Sequence, residues 1–174
     1  MYTRNEITIN CDIQTAFEYA RQVEQWPELL PHYRGVRFEE GSSEQGGLVM
    51  MRAVRPFKPF KWPVWWVSEM IVDERRNSVF YKHVRGVTAG MEVEWQIEPH
   101  VDGDQVKVVI IHKWLQPPFG RKLASDMIGE VFVFAIAERT LQGLKQQIEQ
   151  QIEQQIEQQI EQQIEQQIVQ EEVG

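Results

Sequence analysis

Apolar and polar positions alternate with a period of two over much of the chain, and two segments break that rhythm. "EITIN" (6–10) alternates and predicts a strand. In "IQTAFEYARQVEQ" (13–25) the apolar positions Ile13, Ala16, Phe17, Ala20 and Val23 fall three and four apart, which predicts a helix with Asp12 as its N-cap. "WPELLPHYRGV" (26–36) carries two prolines and predicts a short helical turn leaving into a strand. Strands are then predicted at 36–40, 47–55, 63–74, 78–84, 91–99 and 105–115. Turn residues at Gly41-Ser-Ser, Arg75-Arg-Asn77 and Asp102-Gly103-Asp104 punctuate them. From Arg121 onward there is no proline and little glycine, and "LASDMIGEVFVFAIAERTLQGLKQQI" predicts one long helix.

Strand, helix, a meander of about six strands and a long C-terminal helix make an α+β protein with an antiparallel sheet. A long helix laid across a curved sheet leaves room for a cavity. The length of 174 residues suits one domain with a sizeable core, and six Trp point to an aromatic-lined interior. The single cysteine, Cys11, excludes an internal disulfide framework and fits a reducing cytosol. "MYTRNEITIN" has no apolar leader core, and no run of about 18 apolar residues occurs. The expected location is therefore cytoplasmic, with no membrane span.

Charge changes the picture at one end only. The net charge is −8, but seven Glu and no basic residue lie from Gln146 onward. Residues 1–145 thus carry 18 basic against 19 acidic residues, with no basic cluster to bind nucleic acid. The segment from Gln146 repeats "QQIE" with a strict period of four. The helical period is 3.6, so its Ile stripe drifts by about 40° per repeat. A two-stranded coiled coil needs an average of 3.5. We therefore divide the chain into a ligand-binding domain, 1–147, and a low-complexity helical tail, 148–174. The tail is expected either to be solvated or to join copies into a homo-oligomer as a coiled coil.

Candidate chemistry concentrates in "YKHVRGVTAGMEVEW" (81–95), which predicts a hairpin. With Arg85 set opposite Met91, His83 faces Val93 and Tyr81 faces Trp95. Opposed residues of an antiparallel pair share a face. One face then collects Tyr81, His83, Arg85, Met91, Val93, Trp95 and Ile97; the other collects Lys82, Glu92, Glu94, Gln96 and Glu98. Apolar residues with a few convergent polar groups compose a ligand pocket, whereas a dry core leaves Arg85 uncompensated. The alternative is a position at the sheet edge, reaching water. In strand 105–115 the lysines mark the outer face, which turns His112 and Trp114 inward with Val106, Val108 and Ile110.

"FEYARQVEQWPELLPHYRGV", "WWVSE", "HVRGVTAGMEVEW", "IIHKW" and the helix ending "ERTLQGLK" resemble the polyketide aromatase/cyclases and bacterial polyketide cyclase/dehydrase proteins. These belong to the START/Bet v 1-like helix-grip superfamily. The resemblance covers roughly residues 4–148. It implies a helix-grip fold, a curved antiparallel sheet wrapped around the long C-terminal helix, with an internal cavity in which a poly-β-ketone undergoes aldol closure and dehydration. It also implies pocket roles for Tyr33, Trp66 and Ser68. The family's catalytic arginine falls at Met70, and a thioether can neither polarise a ketone nor stabilise an enolate.

Catalytic candidates are therefore His83, as a base, and Arg85, as the donor to the developing oxyanion, with His112 a second possible base. Arg52 and Arg55 alternate onto opposite faces and cannot both point inward. The expected ligand-binding set is Tyr33, Trp66, Ser68, Met70, Tyr81, Met91, Trp95, His112 and Trp114. No metal-ligand cluster, Gly-rich phosphate loop or dinucleotide fingerprint is present, so no metal or cofactor is expected. The expected partner is a small hydrophobic or polyketide-like ligand. The expected function is a polyketide cyclase/dehydrase-like protein; the alternative is a lipid or quinone carrier resembling coenzyme Q-binding START proteins, without catalysis.

Overall fold

The computed structural model describes residues 1–54, 63–101, 103–115 and 130–173. The expectations for Arg55, for the turn residue Asp102 and for the start of the long helix before Glu130 lie outside the described residues. Chain order is β1 (Tyr2–Ile9), α1 (Ile13–Arg21), a 3-10 turn (Val23–Gln25), α2 (Trp26–Leu29), β2 (Tyr33–Ser42), β3 (Gly46–Val54), β4 (Pro63–Asp73), β5 (Ser78–Gly86), β6 (Glu92–Pro99), β7 (Val106–Lys113) and α3 (Glu130–Val173).

The strands form one antiparallel sheet in the order β1-β7-β6-β5-β4-β3-β2, and α3 packs mainly on β1. This is the helix-grip fold. Asp12 caps α1 as the sequence predicts, accepting hydrogen bonds from the Thr15 backbone N–H at 2.9 Å and from its hydroxyl. Ala16, Phe17 and Ala20 of α1 are buried, as are Trp26 of α2 and Leu141, Leu144 and Ile148 of α3. Together with the inward face of the sheet they form a continuous core.

The β5–β6 hairpin differs from the expected register by two residues. Tyr81 pairs with Val93 and Lys82 with Glu92, and the His83 N–H bonds the Met91 carbonyl. A slip of two leaves every side chain on its face, because the side-chain period in a strand is also two. A second irregularity does change a face. Ser68 pairs with His83 but Val67 pairs with Arg85, so β5 has one extra residue, Val84, at this point. Such a bulge reverses the alternation beyond it. Arg85 consequently emerges on the outer side of the sheet, where it is exposed and ion-paired with Glu39. The expectation that Arg85 joins the inward set with Tyr81 and His83 is thus corrected.

The bulge ends at Gly86, whose φ is +99°. A Cβ there would stand 2.4 Å from the Trp65 carbonyl oxygen and 2.7 Å from the Trp66 Cα. Only glycine fits both the backbone conformation and the space.

The helix α3 stays in contact with the body past the predicted boundary at 147. Ile148 is buried, Glu149 accepts from Asn10, the Tyr19 hydroxyl donates to Gln151, and Ile152 packs on the core. Beyond this point Ile156, Ile160, Ile164 and Ile168 are all about half exposed.

Candidate functional site

Between the sheet and α3 lies a cavity of about 70 Å³. Strand register explains which residues reach it. Met70, Tyr81, Val93, His112 and Thr3 stand in one row across β4, β5, β6, β7 and β1. Ser68, His83 and Met91 form the neighbouring row. Adjacent strands lie about 4.8 Å apart and alternate residues about 7 Å apart along a strand. Tyr81, His83 and His112 therefore occupy neighbouring places on the sheet wall of the cavity.

The aromatic wall comes from separate parts of the chain. Trp26 meets Tyr33 edge-on, with ring centroids 5.1 Å apart, and lies 5.4 Å from Trp95. Trp66 stacks on His83 at 5.8 Å and 11°. The helix α3 closes the space with Phe132, Val133, Ile136, Ala137 and Thr140. Val87 lines the cavity and is also exposed, so the rim reaches solvent at the β5–β6 turn.

Burial governs the electrostatics. The His83 and His112 imidazoles are lowered to about 3, because charging them would leave a cation in an apolar interior; their mutual proximity depresses His83 further. Both rings are neutral at neutral pH. Burial pushes the Tyr33 phenol up to about 12 and that of Tyr81 well above its usual range, so both keep their protons. His83 Nδ1 lies 2.6 Å from the Thr88 hydroxyl, and His112 Nδ1 lies 3.2 Å from that of Thr3. The Tyr81 hydroxyl is buried on the cavity wall without a hydrogen-bond partner among the described residues. No lining residue among the described residues is acidic or basic apart from these neutral histidines.

Of the sequence candidates, Tyr33, Trp66, Tyr81, His83, Met91, Trp95 and His112 line the cavity. Ser68, Met70 and Trp114 are buried but do not line it. Ser68 pairs with His83 and Met70 with Tyr81, and in each pair it is the longer cross-strand partner that reaches the cavity. Arg85 is on the opposite side of the sheet. Sequence reasoning missed Trp26, Met51, Thr88 and the α3 residues. Trp26 carried a usable signal, as a large apolar residue on a two-proline turn; Phe132 and Thr140 join only through tertiary packing.

A family model described as "Polyketide cyclase / dehydrase and lipid transport" matches residues 3–149. A Streptomyces cyaneus protein named "Putative polyketide cyclase" is 30% identical over 107 residues, covering 60% of this chain and 68% of that one. Among solved structures, the Zhui aromatase/cyclase of Streptomyces sp. R1128 superimposes with a TM-score of 0.71 at 15% identity, over 87% of this chain and 95% of that one. A START superfamily protein of Mycobacterium smegmatis gives a TM-score of 0.65 at 12% identity, over 86% and 97%. At such identities these two structures speak to the fold. No helix among the described residues is long and apolar enough to cross a membrane.

Proposed function

Because the chain belongs to the polyketide cyclase/dehydrase and lipid transport family, we propose that its cavity binds an uncharged, largely apolar ligand of the aromatic or polyketide type. One observation carries this reading: a Tyr81 hydroxyl without a partner among the described residues, set in a wall of Trp26, Trp66 and Trp95. A buried donor without a partner is costly in an empty site and becomes an asset once a ligand oxygen accepts from it. The three indoles supply the test. Titration with an anthraquinone-type ligand should quench tryptophan emission with saturation. Tyr81→Phe should weaken binding by about tenfold, the equivalent of one hydrogen bond of about 1.4 kcal/mol. A quenching curve that never saturates in the wild type would sink the proposal.

A second reading, aldol closure with dehydration, is favoured by the placement of His83 and the Tyr81 hydroxyl at neighbouring places on the sheet wall of a water-poor site. There, donors gain strength toward a developing enolate. Arg85, on the outer side, takes no part in it. A surrogate poly-β-ketone should then give a cyclised product that His83→Leu and Tyr81→Phe suppress and Arg85→Leu leaves unchanged. An identical product mixture with and without protein would leave a carrier, for which Met70 at the family's arginine position is the supporting feature.

A further inference from the structure

Two histidines in this molecule meet threonine hydroxyls in opposite senses. At His32, the Thr140 hydroxyl already donates to the Ile136 carbonyl at 2.9 Å. Its oxygen is then left to accept, so His32 Nε2, 3.0 Å away, carries the hydrogen. At His83 the partner is Thr88, which is buried, and its hydroxyl has no acceptor other than His83 Nδ1 among the described residues.

If Nδ1 donated to Thr88, the threonine hydrogen would be left without an acceptor in a buried turn. If the hydroxyl donates, both Thr88 and Nδ1 are satisfied. The separation of 2.6 Å also suits an O–H donor, since N–H donors sit most often at 2.9–3.0 Å. In a neutral imidazole that accepts at Nδ1, the hydrogen resides on Nε2. His83 Nε2 has no protein partner among the described residues, and the ring lines the cavity. Thr3 stands to His112 as Thr88 stands to His83, also buried and also without another acceptor among the described residues.

We propose that Thr88 is a positioning residue that fixes His83 as an Nε2–H donor, so that His83, His112 and Tyr81 present hydrogen-bond donors to a ligand rich in carbonyl oxygens, such as a quinone or a β-dicarbonyl. The proposal rests on the ligand-binding reading above and deepens it. Met70 pairs directly with Tyr81, and Ser68 with His83. The donors on this wall are neutral groups, not a cation. His83 in this state is a donor and not a base.

Two measurements test it. Long-range ¹H–¹⁵N spectra of the ligand-free protein at pH 7 should show His83 as the Nε2–H tautomer, with His32 as an internal control of the same tautomer. Thr88→Val should convert His83 to a mixture, and Thr88→Ser should restore the wild-type pattern. An Nδ1–H tautomer or a cationic His83 ring in the wild type would overturn the assignment, whatever the ligand results. The second measurement compares 9,10-anthraquinone with anthracene, which share a three-ring shape. The quinone should bind at least tenfold tighter; that margin should shrink in Thr88→Val and persist in Thr88→Ser. Equal affinities would overturn the donor-lined site while leaving ligand binding itself standing. Failure of both probes to bind would count against the ligand-binding reading, and the spectra alone would then decide the tautomer.

Discussion

Ile148 and Ile160 occupy equivalent places in the same four-residue repeat and the same helix, yet Ile148 is 1% exposed and Ile160 50%. The local sequence around each is nearly identical, so propensity cannot separate them. What differs is the neighbourhood. Around Ile148 the helix is tied to the body: Lys145 donates to the Thr8 carbonyl and Glu149 accepts from Asn10. Three repeats later the stripe has turned by about 120° and the sheet has been left behind. A repeat can specify a helix without specifying what the helix touches.

Substitution along that stripe should give the widest contrast. Ile148→Ala should destabilise the protein by about 2–5 kcal/mol, because it opens a cavity in a packed core. Ile160→Ala should stay within about 0.5 kcal/mol. Urea unfolding of both variants measures the difference, and equal losses would mean that the tail is buried against a partner in solution.

The bulge that separates His83 from Arg85 offers a sharper probe of the body. Gly86→Ala should cost about 1–3 kcal/mol through its positive φ and the crowding against the Trp65 carbonyl. A neutral outcome would show that β5 can re-register without its glycine.

Titration separates the regions again, because all four histidines lie in the body. His32 is lowered to about 4, chiefly by burial, and His83 and His112 to about 3. Unfolded chains protonate their histidines near pH 6.5, before the folded protein does. Stability from these rings is therefore complete above about pH 6.5 and is lost as pH falls toward 4 and then 3. Each ring contributes a slope of up to about 1.4 kcal/mol per pH unit. Urea midpoints at pH 7.0, 6.0 and 5.0 should decline steadily, and to the same extent in a chain truncated after Ile152. A flat profile would mean that the imidazoles reach water in the folded state.

The smallest effect belongs to the truncation itself. Removing residues 153–174 should shift the melting temperature by no more than a degree or two, since the isoleucines beyond Ile152 stay half exposed. A loss of oligomer on truncation, read by light scattering, would assign the stripe a partner.

Much of the fold was legible because side-chain periodicity is a local property. The strands expected at 63–74, 78–84, 91–99 and 105–115 are found at 63–73, 78–86, 92–99 and 106–113, and the cap at Asp12 and the inward face of β7 were read from residue type and spacing. The two-residue slip in the hairpin was harmless for the same reason, as faces repeat every second residue.

Arg85 is where local reasoning failed. One additional residue in a strand reverses all that follows, and whether that residue is accommodated depends on the neighbouring strand. Gly86, a glycine inside a strand pattern, was the available signal. The cavity wall supplied by Trp26, Phe132 and Thr140 was likewise decided by tertiary structure, whereas Thr88 meets His83 within one turn of the hairpin. The sequence determined which side chains could face inward, because alternation is written residue by residue. Which of them meet around one space was settled by packing, because contacts between Trp26, His83 and Phe132 join segments that share no local pattern.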